Sequence, residues 1–290
     1  MRDVHPLPGA DHVVDGVRVH VVRHGTGSGL PVVLLHGLPT SSYLWRDVQR
    51  DLEHTHRTYA PDVIGLGRSE RPADGRYDLA SQAELMLALL DELSLERVAL
   101  VGHDLGGALA VHLTALAPAR VAALVLVDAA LHADTWPVAA VSGLVARGLG
   151  ELQTTLLRAV PGAGRSYLAR QLGRGLAGGP MDDTVLGHYA RPLLTADGAR
   201  GLLSFVRAFD PPAAEAALRL VAAEPPPTLV LWGDEDVWHG PAYGRRLAAD
   251  IPGAVLVPVP DAGHLLPEER PERVSEELAG FLAEAVARTG

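Results

Sequence analysis

The stretch VALVGHDLGGALAVHL, residues 98–113, constrains the fold of this chain most strongly. An apolar run ends at Gly102, and an apolar helical pattern begins at Leu105. Gly102 and Gly106 flank Asp104 and permit a tight, strained strand-to-helix turn. Such a turn presents its central side chain at the carboxyl end of a sheet. The alternative is that Asp104 is only the N-cap of the helix, but a cap does not need glycine on both sides.

The rest of the chain repeats this alternation of strand and helix. Apolar runs at 31–36, 57–65, 97–102 and 121–128 indicate buried strands. Helical patterns at 41–53, 78–95 and 105–118 follow three of them. Alternation of this kind predicts an α/β fold with a mostly parallel, doubly wound sheet and helices on both faces.

The alternation stops after Asp128. Residues 130–213 are rich in Leu, Ala, Gly and Arg and contain no convincing strand, whereas a strand pattern returns at 227–236. The pattern predicts an α/β core in two parts, residues 1–129 and 214–290, with a helical cap at 130–213 between them.

Composition narrows the class of protein. The net charge of -10 argues against nucleic acid or an anionic membrane as a partner. The chain has no Cys, so a disulfide framework and a thiolate metal site are excluded. The apolar runs are too short to span a bilayer, and the first residues do not resemble a signal peptide. We expect a cytoplasmic enzyme, a monomer or homodimer, without cofactor or metal.

A histidine and an acid follow the last two predicted strands. His264 lies in the segment DAGH between the final strand and the final helix, where it can act as a general base. Asp236 ends the segment WGDED and is our candidate for the acid that orients His264. Asp128, which follows the strand at 121–127, is the rival. The order nucleophile, acid, histidine is that of the α/β-hydrolase fold.

A second loop supplies candidates for stabilising negative charge. The segment HGLP, residues 36–39, closes an apolar strand, so the backbone N–H of Leu38 can point at a developing oxyanion. The N–H of Leu105 is the second candidate donor. The alternative is an ordinary strand-to-helix turn at residues 36–39.

Five segments together resemble the α/β-hydrolase superfamily over nearly the whole chain: HGLPTSSYLWR, DVIGLGRSERP, VGHDLGG, WGDED and DAGHLLPEERPE. Aspartate at the elbow resembles the branch that contains epoxide hydrolases and haloalkane or haloacetate dehalogenases. The resemblance implies that Asp104 forms an alkyl ester by displacement at an sp3 carbon, and that His264 activates water to cleave it.

The same resemblance bears on the leaving group. Haloalkane dehalogenases usually carry Asn where Leu38 stands and Trp where Leu105 stands, and these side chains bind the departing halide. Epoxide hydrolases use tyrosine hydroxyls of the cap to protonate the opened ring. Tyr189 and Tyr167 are the candidates here, although each could instead pack between cap helices. The Arg pair of haloacetate dehalogenases has no match after Asp104.

We therefore expect a hydrolase that opens a small to medium apolar epoxide to a diol. One alternative is a dehalogenase-like hydrolase acting on haloalkanes or haloacids. Another is a recruited non-hydrolytic biosynthetic enzyme, such as a cyclase or isomerase, or a ligand-binding scaffold. The expected pocket is apolar, with Trp136, Val237 and Leu265 as candidate lining residues.

Overall fold

A single sheet organises the molecule. The computed structural model describes residues 4–73, 75–132 and 149–289. The strands within these ranges are β1 (Gly9–Val14), β2 (Val17–His24), β3 (Val32–Leu35), β4 (Thr58–Pro61), β5 (Val98–His103), β6 (Val121–Val127), β7 (Thr228–Gly233) and β8 (Val255–Val259). Their order in the sheet is β1-β2-β4-β3-β5-β6-β7-β8.

The sheet is mostly parallel. Only β2 is antiparallel to its neighbours β1 and β4, and every other described pair is parallel. The register pairs His103 with Val127 and Val127 with Leu231, so the carboxyl ends of β5, β6 and β7 lie side by side. The loops that leave these strands therefore meet at one edge of the sheet.

Helices cover both faces of the sheet, and four further helices within the described ranges lie in the segment between β6 and β7. Those of the core are α1 (Arg46–Asp51), α2 (Leu79–Glu92), α3 (Leu105–Leu116), α8 (Pro211–Ala223), α9 (Pro241–Asp250), α10 (Leu266–Glu269) and α11 (Pro271–Thr289). Between them lie α4 (Gly150–Ala159), α5 (Ala163–Arg174), α6 (Asp183–Leu193) and α7 (Ala196–Ala208).

Alternation along β3 and β5 divides the core between the two faces. Val33, Leu35 and Leu100 belong to the apolar cluster that includes α2 and α3. Val32, Leu34 and Val101 belong to the cluster beneath α11. Successive side chains of a strand point to opposite faces, and both faces are covered, so β3 and the first four residues of β5 are apolar at every position.

The predicted α/β-hydrolase fold is confirmed, with small differences. The predicted helix at 41–53 begins as a 3-10 turn, Ser42–Trp45, and continues as α1. Strand β1 was not predicted, because GADHVV has no apolar alternation and most of its residues are exposed. The predicted cap boundary at residue 213 falls inside α8, whose residues pack in the core cluster with α3. No helix among the described residues is both long and apolar enough to cross a membrane.

Candidate functional site

Asp104 occupies a strained turn between β5 and α3. Its φ is 52° and its ψ is -122°, a conformation that non-glycine residues rarely adopt. The flanking glycines make the turn possible. A Cβ on Gly102 would lie 2.3 Å from the carbonyl oxygen of Gly106, and one on Gly106 would lie 2.3 Å from that of Leu35. Close packing therefore fixes where the Asp104 side chain projects.

The two carboxylate oxygens of Asp104 have different surroundings. The backbone N–H of Leu38 donates to Oδ2 across 2.9 Å, which leaves Oδ1 facing His264. Leu105 is the first residue of α3, so its N–H has no acceptor within the helix and belongs to its positive end. The structure thus brings the two predicted backbone donors to Asp104, Leu38 by direct contact and Leu105 by its place in the turn.

His264 joins Asp104 to Asp236. Its Nε2 lies 3.8 Å from Asp104 Oδ1, and its Nδ1 lies 2.9 Å from Asp236 Oδ2. The other Asp236 oxygen accepts hydrogen bonds from the N–H groups of Trp238 and His239, at 2.8 and 2.9 Å. A histidine held at Nδ1 by a carboxylate keeps Nε2 free for proton transfer.

The charge of His264 follows from these neighbours. Burial alone lowers its pKa, but the charge and hydrogen bond of Asp236, together with the charge of Asp104, raise the pKa to about 9. Burial also raises the pKa of Asp236, yet the nearby imidazolium outweighs it and the pKa of that carboxyl falls below its usual value. At neutral pH the pair formed by Asp236 and His264 is therefore a carboxylate and an imidazolium.

Asp128 is the alternative candidate for the acid that orients His264. It directly follows β6 and is fully buried, and its Oδ1 accepts a hydrogen bond from the N–H of Gly233 at 2.8 Å. Its Oδ2 has no hydrogen-bond partner among the described residues. Burial, reinforced by the charge of Asp236, raises the pKa of Asp128 well above its usual value. Asp236, not Asp128, is hydrogen-bonded to His264.

Two further histidines were missed from the sequence. His103 Nε2 faces the backbone carbonyl of His264 at 2.8 Å and donates to it. The His239 ring packs edge-on against the His264 ring, with centroids 4.9 Å apart. Potential ligand atoms of Asp104, His239 and His264 lie within 4.8 Å of one another, which is the only such group among the described residues. The sequence offered one indication for His239, namely that it follows the predicted acid Asp236 by three residues.

The two candidate tyrosines of the cap, Tyr189 and Tyr167, have surroundings that do not include Asp104. Tyr189 is buried, and its hydroxyl donates to Glu268, which also forms a bidentate ion pair with Arg46 at 2.6 and 2.8 Å. Its hydroxyl hydrogen is thus engaged, which argues against the predicted role in opening an epoxide. Tyr167 lines a small groove within the cap, between α4, α5, α6 and α7. The structure brings neither hydroxyl into contact with Asp104.

The candidate pocket residues also differ from expectation. Val237 is 66% exposed, while Leu265 is fully buried in a cluster with Tyr43 and Tyr189. The loop after Asp236 turns Val237 outward, and Leu265 packs the cap onto the core, so neither is shown lining a pocket. Trp136 lies outside the described residues. A cavity of about 470 Å³ between core and cap is lined by other residues, including Tyr43, Arg46, Asp62, His188 and Arg191.

Comparison with known proteins identifies the family. Residues 31–271 match the family model for the alpha/beta hydrolase fold. The chain belongs to the α/β-hydrolase family. This α/β hydrolase is 32% identical to haloalkane dehalogenase 2 of Mycobacterium tuberculosis over 269 residues, which cover 90% of each chain.

Solved structures give the same result for this α/β hydrolase. The epoxide hydrolase CorEH superimposes with a TM-score of 0.79 at 25% identity, covering 96% of this chain and 99% of CorEH. The haloalkane dehalogenase DbeA of Bradyrhizobium elkani superimposes with a TM-score of 0.78 at 26% identity, covering 97% and 99%. The predicted resemblance to both groups of enzymes is confirmed, and the chain is a hydrolase with relatives in each.

Proposed function

We propose that this hydrolase uses Asp104 as a nucleophile and forms an alkyl ester with an apolar substrate. A carboxylate needs no deprotonation before it attacks an sp3 carbon. The N–H of Leu38 holds Oδ2, so Oδ1 is the attacking oxygen. The helices between residues 150 and 208 are part of the proposed cap, which excludes water from this step.

His264 serves both halves of the proposed reaction. In the resting site its pKa is raised to about 9, in part by the charge of Asp104. Ester formation removes that charge, so the imidazolium becomes a stronger acid and readily loses its proton. The neutral imidazole, oriented by Asp236, then takes a proton from water as the water attacks the ester carbonyl.

The fate of this proton favours an epoxide. When an epoxide opens, its oxygen becomes an alkoxide that needs one proton, and the His264 imidazolium has one to give. Ester cleavage returns a proton to His264, so the cycle closes without a separate acid. A departing halide takes no proton, and His264 would then have to lose its proton to solvent before the second step.

The single observation that carries the choice of an epoxide is the pair of leucines beside Asp104. Leu38 and Leu105 provide backbone N–H groups, but their side chains have no donor for a halide. The haloalkane dehalogenases that the chain resembles usually carry Asn and Trp at these two positions, whose side-chain N–H groups bind the halide. We therefore propose that the substrate is a small to medium apolar epoxide and the product a diol.

Dehalogenation is the second candidate function. It is supported by the relative named haloalkane dehalogenase 2, which is 32% identical across 90% of each chain. For this function the missing halide donors would have to come from residues other than Leu38 and Leu105.

Product analysis tests the two candidates. Purified protein is incubated with matched apolar epoxides and haloalkanes, and diol and halide are measured with Asp104→Ala and Asp234→Ala beside the wild type. Asp234 is exposed, lies two residues before Asp236 and is not a member of the proposed triad. We expect diol from an epoxide with wild type and Asp234→Ala, and none with Asp104→Ala. Halide release without diol would replace our proposal with dehalogenation.

A further inference from the structure

His239 is a buried histidine whose ring nitrogens lack a well-formed hydrogen bond within the described part of the chain. The side chain is fully buried, and neither Nδ1 nor Nε2 forms a hydrogen bond of ordinary geometry among the described residues, although the backbone of Asp128 lies close to the ring. Its backbone is held at both ends, since its N–H donates to Asp236 at 2.9 Å and its carbonyl accepts from Trp232 Nε1 at 2.7 Å. These two backbone hydrogen bonds therefore fix the position of the ring but do not supply hydrogen bonds to its nitrogens.

A purely structural role does not account for this ring. A buried polar group without a partner costs free energy, and an apolar residue of similar shape would avoid that cost. The ring packs against His264, directly beside the proposed base. Burial, together with the charge of His264, lowers the pKa of His239, so the ring is neutral and one of its nitrogens carries a free lone pair.

The spacing of three polar atoms is compatible with one bridging water molecule. Because the atoms of Asp104, His239 and His264 lie within 4.8 Å of one another, a single point can lie at most about 2.8 Å from all three. That distance is the length of an ordinary hydrogen bond. The same three atoms could hold a metal ion, but a water molecule is the species that the proposed ester cleavage consumes.

We propose that His239 is a further catalytic residue that holds the hydrolytic water between His264 Nε2 and the Asp104 carboxyl carbon. This role rests on the proposed ester intermediate. One water proton goes to His264 Nε2, and the other is hydrogen-bonded to the unprotonated nitrogen of His239. The water lone pair then forms the new bond to the Asp104 carboxyl carbon.

The rest of the step balances without another reactant. The tetrahedral oxyanion is stabilised by the Leu38 N–H, and its collapse breaks the bond between the Asp104 carboxyl carbon and the alkyl oxygen. The departing alkoxide takes the remaining water proton from the new hydroxyl on the Asp104 carboxyl carbon, so Asp104 returns to carboxylate while His264 keeps the first water proton as imidazolium. His239 is unchanged at the end. It acts only in ester cleavage and is not needed for ester formation.

Rapid-quench mass spectrometry of the intact protein separates the two half-reactions. The variants are His239→Phe, which has no polar atom, and His239→Gln, which retains an amide acceptor. For His239→Phe we expect ester formation at the wild-type rate, ester decay slower by about 100-fold, and accumulation of ester at steady state. The constants kcat and KM should fall together, leaving kcat/KM unchanged, and His239→Gln should recover part of the decay rate.

The control is His56→Gln, a buried histidine at the opposite edge of the sheet, before β4, which should behave as wild type. Ester decay at the wild-type rate in folded His239→Phe, or equal slowing of formation and decay, would overturn the role of His239. Accumulation of ester in His264→Gln shows independently that the Asp104 pathway operates. If neither His264→Gln nor His239→Phe forms ester with any substrate, the Asp104 pathway fails, and the role of His239 fails with it.

Discussion

Asp236 Oδ2 lies 2.9 Å from His264 Nδ1, and both side chains are closed off from solvent. This contact ties β7 to the loop after β8 and determines which imidazole nitrogen faces Asp104. Because the pair is buried, its charges are weakly screened. The protonation of His264 therefore depends on a neighbour that touches no substrate.

Replacing Asp236 with Asn should slow ester cleavage more than ester formation. The amide cannot stabilise the imidazolium that forms as water attacks, and in serine proteases the equivalent change costs about 10⁴-fold in kcat. We expect a loss on the order of 10³-fold here, with ester accumulating. Pre-steady-state kinetics on Asp236→Asn and Asp234→Asn provide the measurement, and a similar loss in both variants would refute the role of Asp236.

The pH dependence of ester formation should distinguish the leaving groups. The pKa of His264 is raised to about 9, so its imidazolium is present below that pH and is lost as pH rises through it. With an epoxide, the single-turnover rate of ester formation should therefore fall above about pH 9. With a haloalkane it should not, since a halide needs no proton. A flat profile with an epoxide would show that another group protonates the alkoxide.

Asp128→Asn should alter the pH dependence of stability. Burial raises the pKa of Asp128 well above that of the unfolded chain. The folded state then binds the proton more tightly than the unfolded chain does. The contribution of Asp128 to the free energy of unfolding is therefore fully present at acid pH, below the unfolded pKa, and is lost as pH rises through the folded pKa. Asparagine stays neutral and tolerates the positive φ of residue 128.

The measurement is the Tm of wild type and Asp128→Asn from pH 4 to pH 9. We expect the Tm of Asp128→Asn to increase relative to the Tm of the wild type as pH rises. A constant difference between the two proteins across the range would contradict a raised pKa at Asp128.

The elbow glycines should be sensitive to a single methyl group. In Gly106→Ala the new Cβ would lie 2.3 Å from the Leu35 carbonyl oxygen, so the backbone must shift, at a cost of about 1–3 kcal/mol or more in unfolding free energy. Gly280→Ala is the matched control, because nothing lies within 4 Å of its Cβ and it sits on the exposed side of α11.

Alanine at 280 should stabilise the protein by about 0.5–1 kcal/mol. Urea unfolding of both variants measures the difference. Gly106→Ala should also lose activity, since Asp104 moves with the turn. Equal unfolding free energies for Gly106→Ala and wild type would mean that the turn is less tightly packed than described.

The sequence was most informative where chemistry and backbone geometry coincide. Glycines on both sides of Asp104 require the turn that the structure shows, and the apolar strand before Leu38 predicts the loop that aims its N–H. The positions of Asp236 and His264 followed from parallel strands, whose carboxyl ends must meet at one edge. These relations depend on local pattern and sheet order, both of which are visible in the sequence.

The remaining features depend on how distant surfaces pack. The Tyr189 hydroxyl meets Glu268, 79 residues away, because α6 docks beside α10, and nothing in either local sequence indicates that contact. His239 was missed because its environment is created by the Asp236 loop folding against His264. Val237 turned outward for the same reason, since the direction of each side chain in that loop is set by two backbone hydrogen bonds to Asp236.

The most direct test is the intact mass of His264→Gln after exposure to matched epoxides and haloalkanes, with Asp104→Ala as control. Without His264 the ester on Asp104 should form slowly, because no imidazolium protonates the alkoxide, but it cannot be hydrolysed and should accumulate during prolonged exposure. We predict that an epoxide adds its whole mass to His264→Gln and nothing to Asp104→Ala. Addition of substrate mass less hydrogen halide, from a haloalkane alone, would contradict the choice of an epoxide. The absence of an adduct after prolonged exposure on folded His264→Gln and also on folded Asp236→Asn, which retains His264, would contradict the Asp104 nucleophile itself.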